Sequence, residues 1–456
     1  MSNNNGEKGD LLLELFSEEI PARMQIGSEK QLTSLFEKSL MNRDIGYGPI
    51  STFCSPRHLS VIIKNIDLKQ KNQIIEKRGP RLGSNEKAIH GFLKSNKIQE
   101  NDIVIKDTKN GKFYFYLNQI NGINTSEVLP EIINEIINNF VWPKSQRWAY
   151  SELRWARPLR NILLLFNNQP IEGKVAIDKN NFLNFSTYTF GHRNENKKIE
   201  VENIDEYERL LENNYLIIDR KKRKNKIIND TKLLLKDKDI KLLDDDYLLD
   251  EVLGLVEFPN VLIGTIDKQF MNLPKEVLTT AMKVHQKYFS IVDDKNNLAP
   301  KFLFVSNTIP KKERDKSIIE GNERVLKARL SDADFFWKTD TSTKIENFNE
   351  KLKKVLFYEG LGSLHDKTIR LSAVSKYFSS LFKVDVSLAR EACILSKFDL
   401  VSEMVGEFPE LQGIMGGYYT KLDRKPNEVS KAIFDQYKPK GISNDMPKTK
   451  LGCMLS

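Results

Sequence analysis

The distribution of strand-like segments divides this sequence into two parts of different fold class. Apolar runs of strand length recur along the chain as far as Phe302–Val305, with helical patterns between them. Beyond Lys311 the apolar residues recur at helical spacing to about Tyr437, for example in ERVLKARLSDADFFWKTD. The sequence therefore predicts an α+β fold up to about residue 310 and an all-α segment after it.

Within the α+β part, Leu11–Phe16 and Arg57–Ile66 are predicted strands, and a helix is predicted from Pro21 to about Met41. The other predicted elements are a helix at Glu86–Leu93, a hairpin from Asn101 to Ile120 that turns at Asn110–Gly111, a helix at Thr125–Phe140 capped by Ser126, strands at Asn161–Phe166, Ile171–Ile177 and Phe185–Phe190, a helix at Ile204–Glu212, the strand YLIID, a basic helix from Arg220, an acidic helix start at Asp244–Asp246, strands at Val261–Gly264, Lys287–Val292 and Phe302–Val305, and a helix at Lys275–Val284.

The composition indicates a globular cytoplasmic protein. Of its 456 residues, 40% are hydrophobic and 29% are charged. No run of roughly 18 apolar residues occurs, so no membrane span is expected, and the opening MSNNNGEKGD lacks the apolar core of a signal peptide. Cys54, Cys393 and Cys453 have neither a metal-ligand spacing nor a disulfide pattern. We therefore expect each to be a small buried hydrophobe in a reducing compartment.

The charge balance is basic, with 71 Lys and Arg against 62 Asp and Glu, a formal net charge of +9 and a pI near 9.0. Such an excess favours a polyanionic partner, because lysine and arginine displace counterions from phosphates. A proteome bias toward Asn, Ile and Lys explains the same excess, so net charge alone leaves both interpretations open. Two basic clusters stand out, KRGPR at residues 77–81 and RKKRKNK at residues 220–226.

These two clusters lead to different predictions. In KRGPRLG, Lys77, Arg78 and Arg81 are predicted to lie around a turn at Gly79–Pro80, on a rigid loop where arginine forks suit phosphate oxygens. A solvated surface loop explains that motif equally well. In RKKRKNK the charges encircle a predicted helix, and a solvated helix face is the expected structure.

The stretch WPKSQRWAYSELRWARPLRN, residues 142–161, interleaves aromatic rings with cations. Pro143 and Pro158 exclude one uninterrupted helix. Because the stretch leads into the strand NILLLF, Trp155 and Leu159 are expected to pack against a sheet, and Trp148 is expected to be buried as well. The candidates for contact with RNA or with a partner subunit are then Arg147, Arg154, Arg157 and Arg160.

Metal and nucleotide chemistry finds little support. His365–Asp366 is a His-Asp pair of the kind that metal-dependent phosphohydrolases use, but none of the 5 histidines follows it, so the helical segment cannot complete such a site. The chain has no phosphate-binding G-x-x-x-x-G-K-[ST] loop and no G-x-G-x-x-G after a strand. Gly360–Leu361–Gly362 is predicted to be a turn between helices. The triplet Arg193–Asn194–Glu195 matches an ATP-binding R-x-E pattern only at chance level.

Nucleophilic chemistry is also unsupported, since no G-x-S-x-G elbow occurs and no Cys lies in a reactive frame. Glu18 and Glu19 are explained by a solvated helix start. We therefore predict no catalytic residue, no metal and no cofactor on this chain.

Several stretches together resemble one known family. They are LLLELFSEEIPARM, SPRHLSV, KRGPRLG, RWARPLRNILLLF, TFGHR, VEFPNVLIGTID, LPKEVLTTAMKVHQKYF, NERVLKARLSDADFFW, LGSLHDKT and LSKFDLVSEMVGEFPELQG. Their content and order are similar to the beta subunit of bacterial glycyl-tRNA synthetase, over nearly the entire chain. The resemblance implies an α2β2 heterotetramer in which a separate alpha subunit activates glycine with ATP and Mg²⁺, while the beta subunit binds tRNA(Gly).

The same resemblance implies a domain organisation: an N-terminal α+β region at 1–140, a region at 141–310 related to the B3/B4 module of phenylalanyl-tRNA synthetase, and a helical, degenerate HD-like domain at 311–456. Family members continue into a C-terminal anticodon-binding domain that this sequence lacks, so a fragment, a frameshifted product and one half of a split subunit are all open interpretations. The alternative function is a stand-alone tRNA- or RNA-binding module without an enzymatic partner.

Overall fold

A computed structural model describes residues 7–148, 151–236, 238–440 and 445–456 of the chain. The described residues form two compact units. The first unit lies within Met1–Lys226, Asp250–Pro259 and Asn307–Ile309, and the second within Ile227–Leu249, Asn260–Ser306 and Pro310–Ser456. Among the described residues, no helix has both the length and the apolar character needed to cross a membrane.

The strands are, in chain order, β1 (Lys8–Ser17), β2 (Ile50–Cys54), β3 (His58–Asp67), β4 (Gln73–Arg81), β5 (Ile103–Thr108), β6 (Gly111–Ile120), β7 (Leu159–Phe166), β8 (Gln169–Pro170), β9 (Lys174–Ala176), β10 (Phe182–Ser186), β11 (Tyr188–Phe190), β12 (Lys198–Glu200), β13 (Ile240–Leu242), β14 (Pro259–Thr265), β15 (Phe289–Asp293), β16 (Leu298–Asn307), β17 (Leu356–Tyr358) and β18 (Gly362–Ser363).

The α-helices are α1 (Ala22–Met41), α2 (Glu86–Asn96), α3 (Thr125–Asn139), α4 (Tyr207–Asn213), α5 (Arg220–Leu235), α6 (Asp246–Leu253), α7 (Lys275–Thr280), α8 (Lys312–Ser342), α9 (Ile345–Leu352), α10 (Leu364–Phe382), α11 (Val386–Leu395), α12 (Glu403–Glu407), α13 (Ile414–Leu422), α14 (Asn427–Asp435) and α15 (Lys450–Leu455).

The central sheet of the first unit has the strand order β2-β3-β1-β7-β10-β9, with β8 paired to β7. Strand β1 pairs antiparallel with both neighbours, and β10 runs parallel to β7. Leu11, Leu13 and Leu15 of β1 belong to a core shared with α1 and α3, whereas Leu12 belongs to a core that includes Tyr207 of α4. Because both faces are covered, β1 is apolar at successive positions and does not alternate.

A small subdomain, residues 68–124, is inserted between β3 and α3. It contains the three-stranded antiparallel sheet β4-β6-β5 and helix α2. Thr125, the first residue of α3, closes the insertion, since its backbone N–H donates to Leu68 O at 2.8 Å and its hydroxyl donates to Asp67 O at 2.6 Å. The two ends of the insertion are thus fixed beside each other.

Most of the predicted elements of the first unit are confirmed, including β1, α1, β3, α2, the β5–β6 hairpin, α3 and β7. The hairpin turns one residue earlier than predicted, because Thr108 pairs with Gly111. Ser126 is not the cap of α3, since the helix already begins at Thr125. Of the predicted strand Ile171–Ile177 only β9 forms, and the predicted strand Phe185–Phe190 is divided between β10 and β11.

The predicted strand YLIID is wrong. Leu216, Ile217 and Ile218 are buried, but they lie in an extended segment that joins no sheet among the described residues. The Ile217 N–H donates to Glu257 O at 2.9 Å, which is a loop contact rather than part of a strand ladder. An apolar run records burial, whereas a strand also requires a neighbouring strand.

The second unit has the sheet β13-β15-β16-β14, and its core also contains residues of α7, α8, α9 and α11–α15. The predicted strands at β14, β15 and β16 and the start of α6 are confirmed. The predicted helix Lys275–Val284 begins as α7 and continues as a π-helical turn at Ala281–His285. The helical prediction beyond Lys311 holds except for the two-stranded hairpin β17–β18.

Candidate nucleic-acid interface

The cluster at residues 77–81 lies on a strand and not on a loop. Lys77, Arg78 and Arg81 all belong to β4, at the edge of the inserted sheet. Pro80 is tolerated because an edge strand needs no donor on its open side, and the register shifts between Arg78 and Arg81, where the chain bulges. The prediction of a rigid cationic turn is therefore wrong, although all three side chains are exposed as expected.

The strand geometry separates these three cations onto two faces of the sheet. Arg78 is opposite Phe115, and Arg81 is opposite Phe113, so their side chains share one face. Lys77 points to the other face, where its ammonium donates to Asn96 Oδ1 of α2 at 3.1 Å. We call the face that carries Arg78 and Arg81 the Arg78–Phe113 face. It is defined by Arg78, Arg81, Lys106, Phe113 and Phe115.

The Trp-Arg stretch begins with a buried aromatic cluster. Phe140, Trp142 and Trp155 have ring centroids 4.7–5.1 Å apart, and all three rings are buried in the first unit's core. Trp155 and Leu159 pack in that core as predicted, while Trp148 is only partly buried against it. Ala149 and Tyr150 lie outside the described residues. The tryptophans at 142 and 155 are therefore packing residues that are closed to stacking on bases.

The four arginines of this stretch differ in their surroundings. Arg154 donates from Nε to Ser145 Oγ at 3.1 Å, and Arg157 donates to Ala156 O at 2.7 Å. Arg160 forms an ion pair with Glu18 at 2.5 Å. Arg147 is exposed and has no ion pair within the described part of the chain. The charge of Arg160 is thus matched locally, whereas Arg147 and Arg154 present theirs outward.

The other basic cluster, RKKRKNK, is not a uniformly solvated helix face. Arg223 is fully buried and donates to the carbonyl oxygens of Ile217 and Ile218 at 2.6 and 2.8 Å and of Cys54 at 2.9 Å. Burial lowers the pKa of Arg223 to about 10. Lys222 is half-exposed and pairs with two carboxylates of α4. The cluster therefore anchors the first turns of α5 within the first unit, and the prediction of a solvated face is wrong for Arg223.

A buried polar centre connects three of the sequence motifs. Arg57 of SPRH donates to both carboxylate oxygens of Glu257, at 2.7 and 3.0 Å, and to Gly191 O of GHR at 3.0 Å. Burial by itself raises the pKa of Glu257, but the hydrogen bonds from Arg57, together with electrostatic interactions with Arg57, His58 and His192, lower the pKa overall. Breaking a buried pair of this kind costs about 3–5 kcal/mol, because it leaves an uncompensated charge.

His58 lies in the same centre as a neutral ring. Its Nε2 donates to Phe190 O at 3.0 Å, and its Nδ1 accepts from the Ser55 hydroxyl at 3.1 Å. Burial lowers the pKa of His58 to about 4. Close by, Asn307 Oδ1 accepts from His192 Nε2 at 3.0 Å and from the Glu257 N–H at 2.9 Å. The histidines here join segments of the fold together.

A second buried carboxylate, Glu14, sits in the middle of the apolar strand β1. It accepts from the Thr189 hydroxyl at 2.7 and 2.8 Å and from the Tyr207 hydroxyl at 2.5 Å, while Ser60 hydrogen-bonds Tyr207 at 2.7 Å. Burial raises the pKa of Glu14 to about 7, against the lowering effect of these hydrogen bonds. The sequence pattern does not predict this group. The one available signal was a single glutamate inside the apolar run LLLELF.

Asp366, one of the two residues that suggested metal chemistry, has a structural role. Ser363 caps α10, and Asp366 completes a capping box by accepting from the Ser363 N–H at 2.8 Å. Gly360 and Gly362 lie in the β17–β18 hairpin, which corrects the prediction of a helix–helix turn. In the described part of the chain, no three His, Cys, Asp or Glu side chains are placed to hold a metal ion.

The other candidate groups for chemistry are also accounted for. Arg193 forms an ion pair with Glu19, and Glu18 pairs with Arg160, so the two glutamates lie in a surface loop and not at a helix start. Cys54 and Cys393 are buried as predicted, and burial raises their pKa values to about 12 and about 11. Cys453 is exposed, contrary to the prediction.

Comparison with known proteins decides the family. A profile described as glycyl-tRNA synthetase beta subunit matches residues 11–456. The chain belongs to this family. It is 41% identical over 442 residues to the glycine–tRNA ligase beta subunit of Rickettsia bellii strain OSU 85-389, and 41% identical over 439 residues to that of Rickettsia canadensis. Its identity to the Rickettsia prowazekii protein of the same name is 39% over 440 residues.

These alignments cover 96% of this chain and 65%, 64% and 64% of the three relatives, so the chain spans somewhat less than two thirds of their length. The resemblance seen in the sequence motifs is confirmed as a family relationship. Three of those motifs, SPRH, TFGHR and VEFP, meet in the buried centre around Arg57 and Glu257. The two residues of its ion pair are 200 positions apart along the chain. Which basic residues contact a nucleic acid or a subunit stays a prediction.

Proposed function

We propose that this chain acts as the beta subunit of a two-subunit glycine–tRNA ligase in the cytoplasm. It binds tRNA(Gly) and supports the attachment of glycine to that tRNA by an alpha subunit, which carries the site for ATP and Mg²⁺. The observation that carries the proposal is the family match over residues 11–456. The name of the family, a beta subunit, implies a partner subunit, and we take the assembly to be an α2β2 tetramer.

The domain relationships are part of this proposal. We take the α+β region to be related to the B3/B4 module of phenylalanyl-tRNA synthetase, and the helical region to be a degenerate HD-like domain. The capping role of Asp366 supports the second relationship, because it gives this aspartate a role that needs no metal. The boundaries of these regions, 1–140, 141–310 and 311–456, remain a prediction.

The exposed arginines supply candidate contacts for tRNA or for the alpha subunit. Arg147 and Arg154 are exposed, and Arg154 directly precedes the buried Trp155. Arginine on a fixed backbone binds phosphate or carboxylate with less loss of side-chain freedom than a mobile lysine. Arg157 and Arg160 are the weaker candidates, because a backbone carbonyl and Glu18 already occupy their guanidinium groups.

The test is reconstitution from purified components. The chain alone should show no glycine-dependent exchange of pyrophosphate into ATP, and a mixture with the matching alpha subunit should charge tRNA(Gly). Glycine activation by the chain alone would contradict the division of labour between the subunits. A chain that binds tRNA but neither co-purifies with the alpha subunit nor supports charging would instead be a stand-alone RNA-binding module.

A further inference from the structure

Helix α2 packs on one face of the inserted sheet. Gly79 lies so near the Phe92 ring of α2 that a Cβ on it would come within 2.8 Å of that ring, and Lys77 is hydrogen-bonded to Asn96 of the same helix. Helix α2 therefore lies on the Lys77 side of the sheet. The register puts Arg78, Arg81, Phe113 and Phe115 on the side away from α2.

Two cations on the Arg78–Phe113 face lie over aromatic rings. The Arg78 guanidinium carbon lies 3.6 Å from the centroid of the Phe113 ring. The Lys106 ammonium lies 5.7 Å from the centroid of Phe115, a ring that is only 9% exposed. A guanidinium plane resting on a ring keeps its other side free, and such planes accept an unpaired base by stacking.

The charges on this face are mostly unmatched. Lys106 pairs with Glu76, which lies across the strand β6 from it. Neither Arg78 nor Arg81 has a carboxylate partner among the described residues, and both side chains are exposed. Three cations against one carboxylate, on a surface a few residues wide, complement a phosphate backbone.

The β4 edge of the same sheet is closed to an added protein strand. Pro80 lacks an N–H and the bulge beside it interrupts the ladder, so β4 cannot extend pairing to a second chain over this stretch. A partner that meets Arg78 and Arg81 is therefore expected on the sheet face and not at the β4 edge. The side chains of that face suit nucleotides better than an apolar peptide.

We propose that the Arg78–Phe113 face binds an unpaired segment of RNA, with a base stacked on the Arg78 guanidinium and phosphates held by Arg81 and Lys106. The inference deepens the proposed function, on which it rests, by assigning a surface for the unpaired nucleotides of the tRNA. Lys77, the neighbour of Arg78 in sequence, takes no part, because it lies on the face that α2 occupies.

The experiment measures binding of the full chain to a fluorescent 12-nucleotide oligouridine, and to a 12-base-pair RNA duplex, by anisotropy in about 50 mM salt. The single strand should bind more tightly than the duplex. The double variant Arg78→Ala/Arg81→Ala should lose on the order of tenfold in affinity for the single strand. The slope of log affinity against log salt should fall by about 0.7, since Arg81 is the one phosphate contact that the variant loses and each such contact on a single strand contributes about 0.7.

Two variants control for charge and for folding. Lys77→Ala removes one positive charge from the same strand and should change the affinity less than twofold. Arg78→Lys keeps the charge but removes the stacking plane, so it should weaken single-strand binding several-fold with little change in salt slope. Equal losses in Lys77→Ala and in the double variant, or tighter binding of the duplex, would overturn the assignment of this face. Failure of the proposed function is a separate result, namely that the unmodified chain supports no charging with the alpha subunit.

Discussion

Among the buried residues of the first unit, Trp155 and Leu159 are positioned by their neighbours in sequence, whereas the carboxylate of Glu14 is held by partners far along the chain. Trp155 and Leu159 lead into an apolar strand, and a large ring next to such a strand gains most by desolvation, so their burial followed from local context. Glu14 could not be found in the same way. Its partners Thr189 and Tyr207 are 175 and 193 residues away along the chain, and burial of a carboxylate is decided by such partners.

Glu14 should make the stability of the first unit depend on pH. Its pKa rises from 4.5 to about 7 on folding, so the folded state binds the proton more tightly than the unfolded state. The stabilisation is complete below pH 4.5 and is lost as the pH rises through about 7, a change of about 2–3 kcal/mol between pH 5 and 8. Glu14→Gln, which stays neutral, should lack this loss.

The measurement is urea unfolding at pH 5, 6, 7 and 8, followed by tryptophan fluorescence in a Trp337→Phe background. Of the 4 tryptophans, the three at 142, 148 and 155 lie in the first unit. His58 acts in the opposite direction over part of this range, since burial lowers its pKa to about 4. The informative quantity is therefore the difference between the two proteins, and a difference that stays constant with pH would show that Glu14 remains ionised.

At the scale of elements, the local sequence pattern was sufficient where the backbone hydrogen bonds form within one helix or between two strands adjacent in sequence. The helix α1 and the β5–β6 hairpin were found from periodicity and a short turn. Pattern failed where long-range pairing decides the conformation. The run KRGPR became a strand because β6 lies beside it. YLIID is extended but in no sheet, because no strand in the described part of the chain lies beside it.

Helix α10 offers a test of what the His-Asp pair does. Ser363 Oγ accepts from the Asp366 N–H at 3.2 Å, and the Asp366 carboxylate accepts from the Ser363 N–H. Ser363→Ala should therefore lower the free energy of unfolding of the second unit by about 1 kcal/mol, and Asp366→Ala should also be destabilising.

His365→Ala is the matched control for α10, because no hydrogen bond from the His365 ring contributes to the cap. The free energy of unfolding of His365→Ala, followed by the fluorescence of Trp337 in the second unit, should stay within about 0.5 kcal/mol of that of the unmodified protein, as for a neutral surface substitution. Greater destabilisation by His365→Ala than by Ser363→Ala would assign the pair a role other than capping.

At the scale of the whole molecule, the change from α+β to helical structure near residue 310 was readable from the sequence, but the composition of the compact units was not. Residues 250–259 and 307–309 belong to the first unit, although segments of the second unit precede and separate them. Contacts such as Arg57–Glu257 fix this interleaving, and they leave no periodic signal in the sequence. Family membership, by contrast, depends on ordered motifs and could be recognised directly.

The net charge of +9 is also a property of the whole chain, and its meaning depends on where the cations are free. Some cations make contacts within the protein: Arg223 is buried, and Lys222 pairs with a carboxylate. Others, such as Arg78, Arg81 and Arg147, are exposed. If exposed cations of this kind neutralise about four phosphates of tRNA(Gly), the slope of log affinity against log salt should be about −3. Between 50 and 200 mM potassium chloride, tRNA affinity should then fall on the order of 10²-fold.

Anisotropy of labelled tRNA(Gly) measures this slope of log affinity against log salt. The Arg78→Ala/Arg81→Ala variant should make the slope shallower, whereas Lys77→Ala should not. A slope near zero would mean that the basic excess lies outside the RNA contact and reflects composition alone.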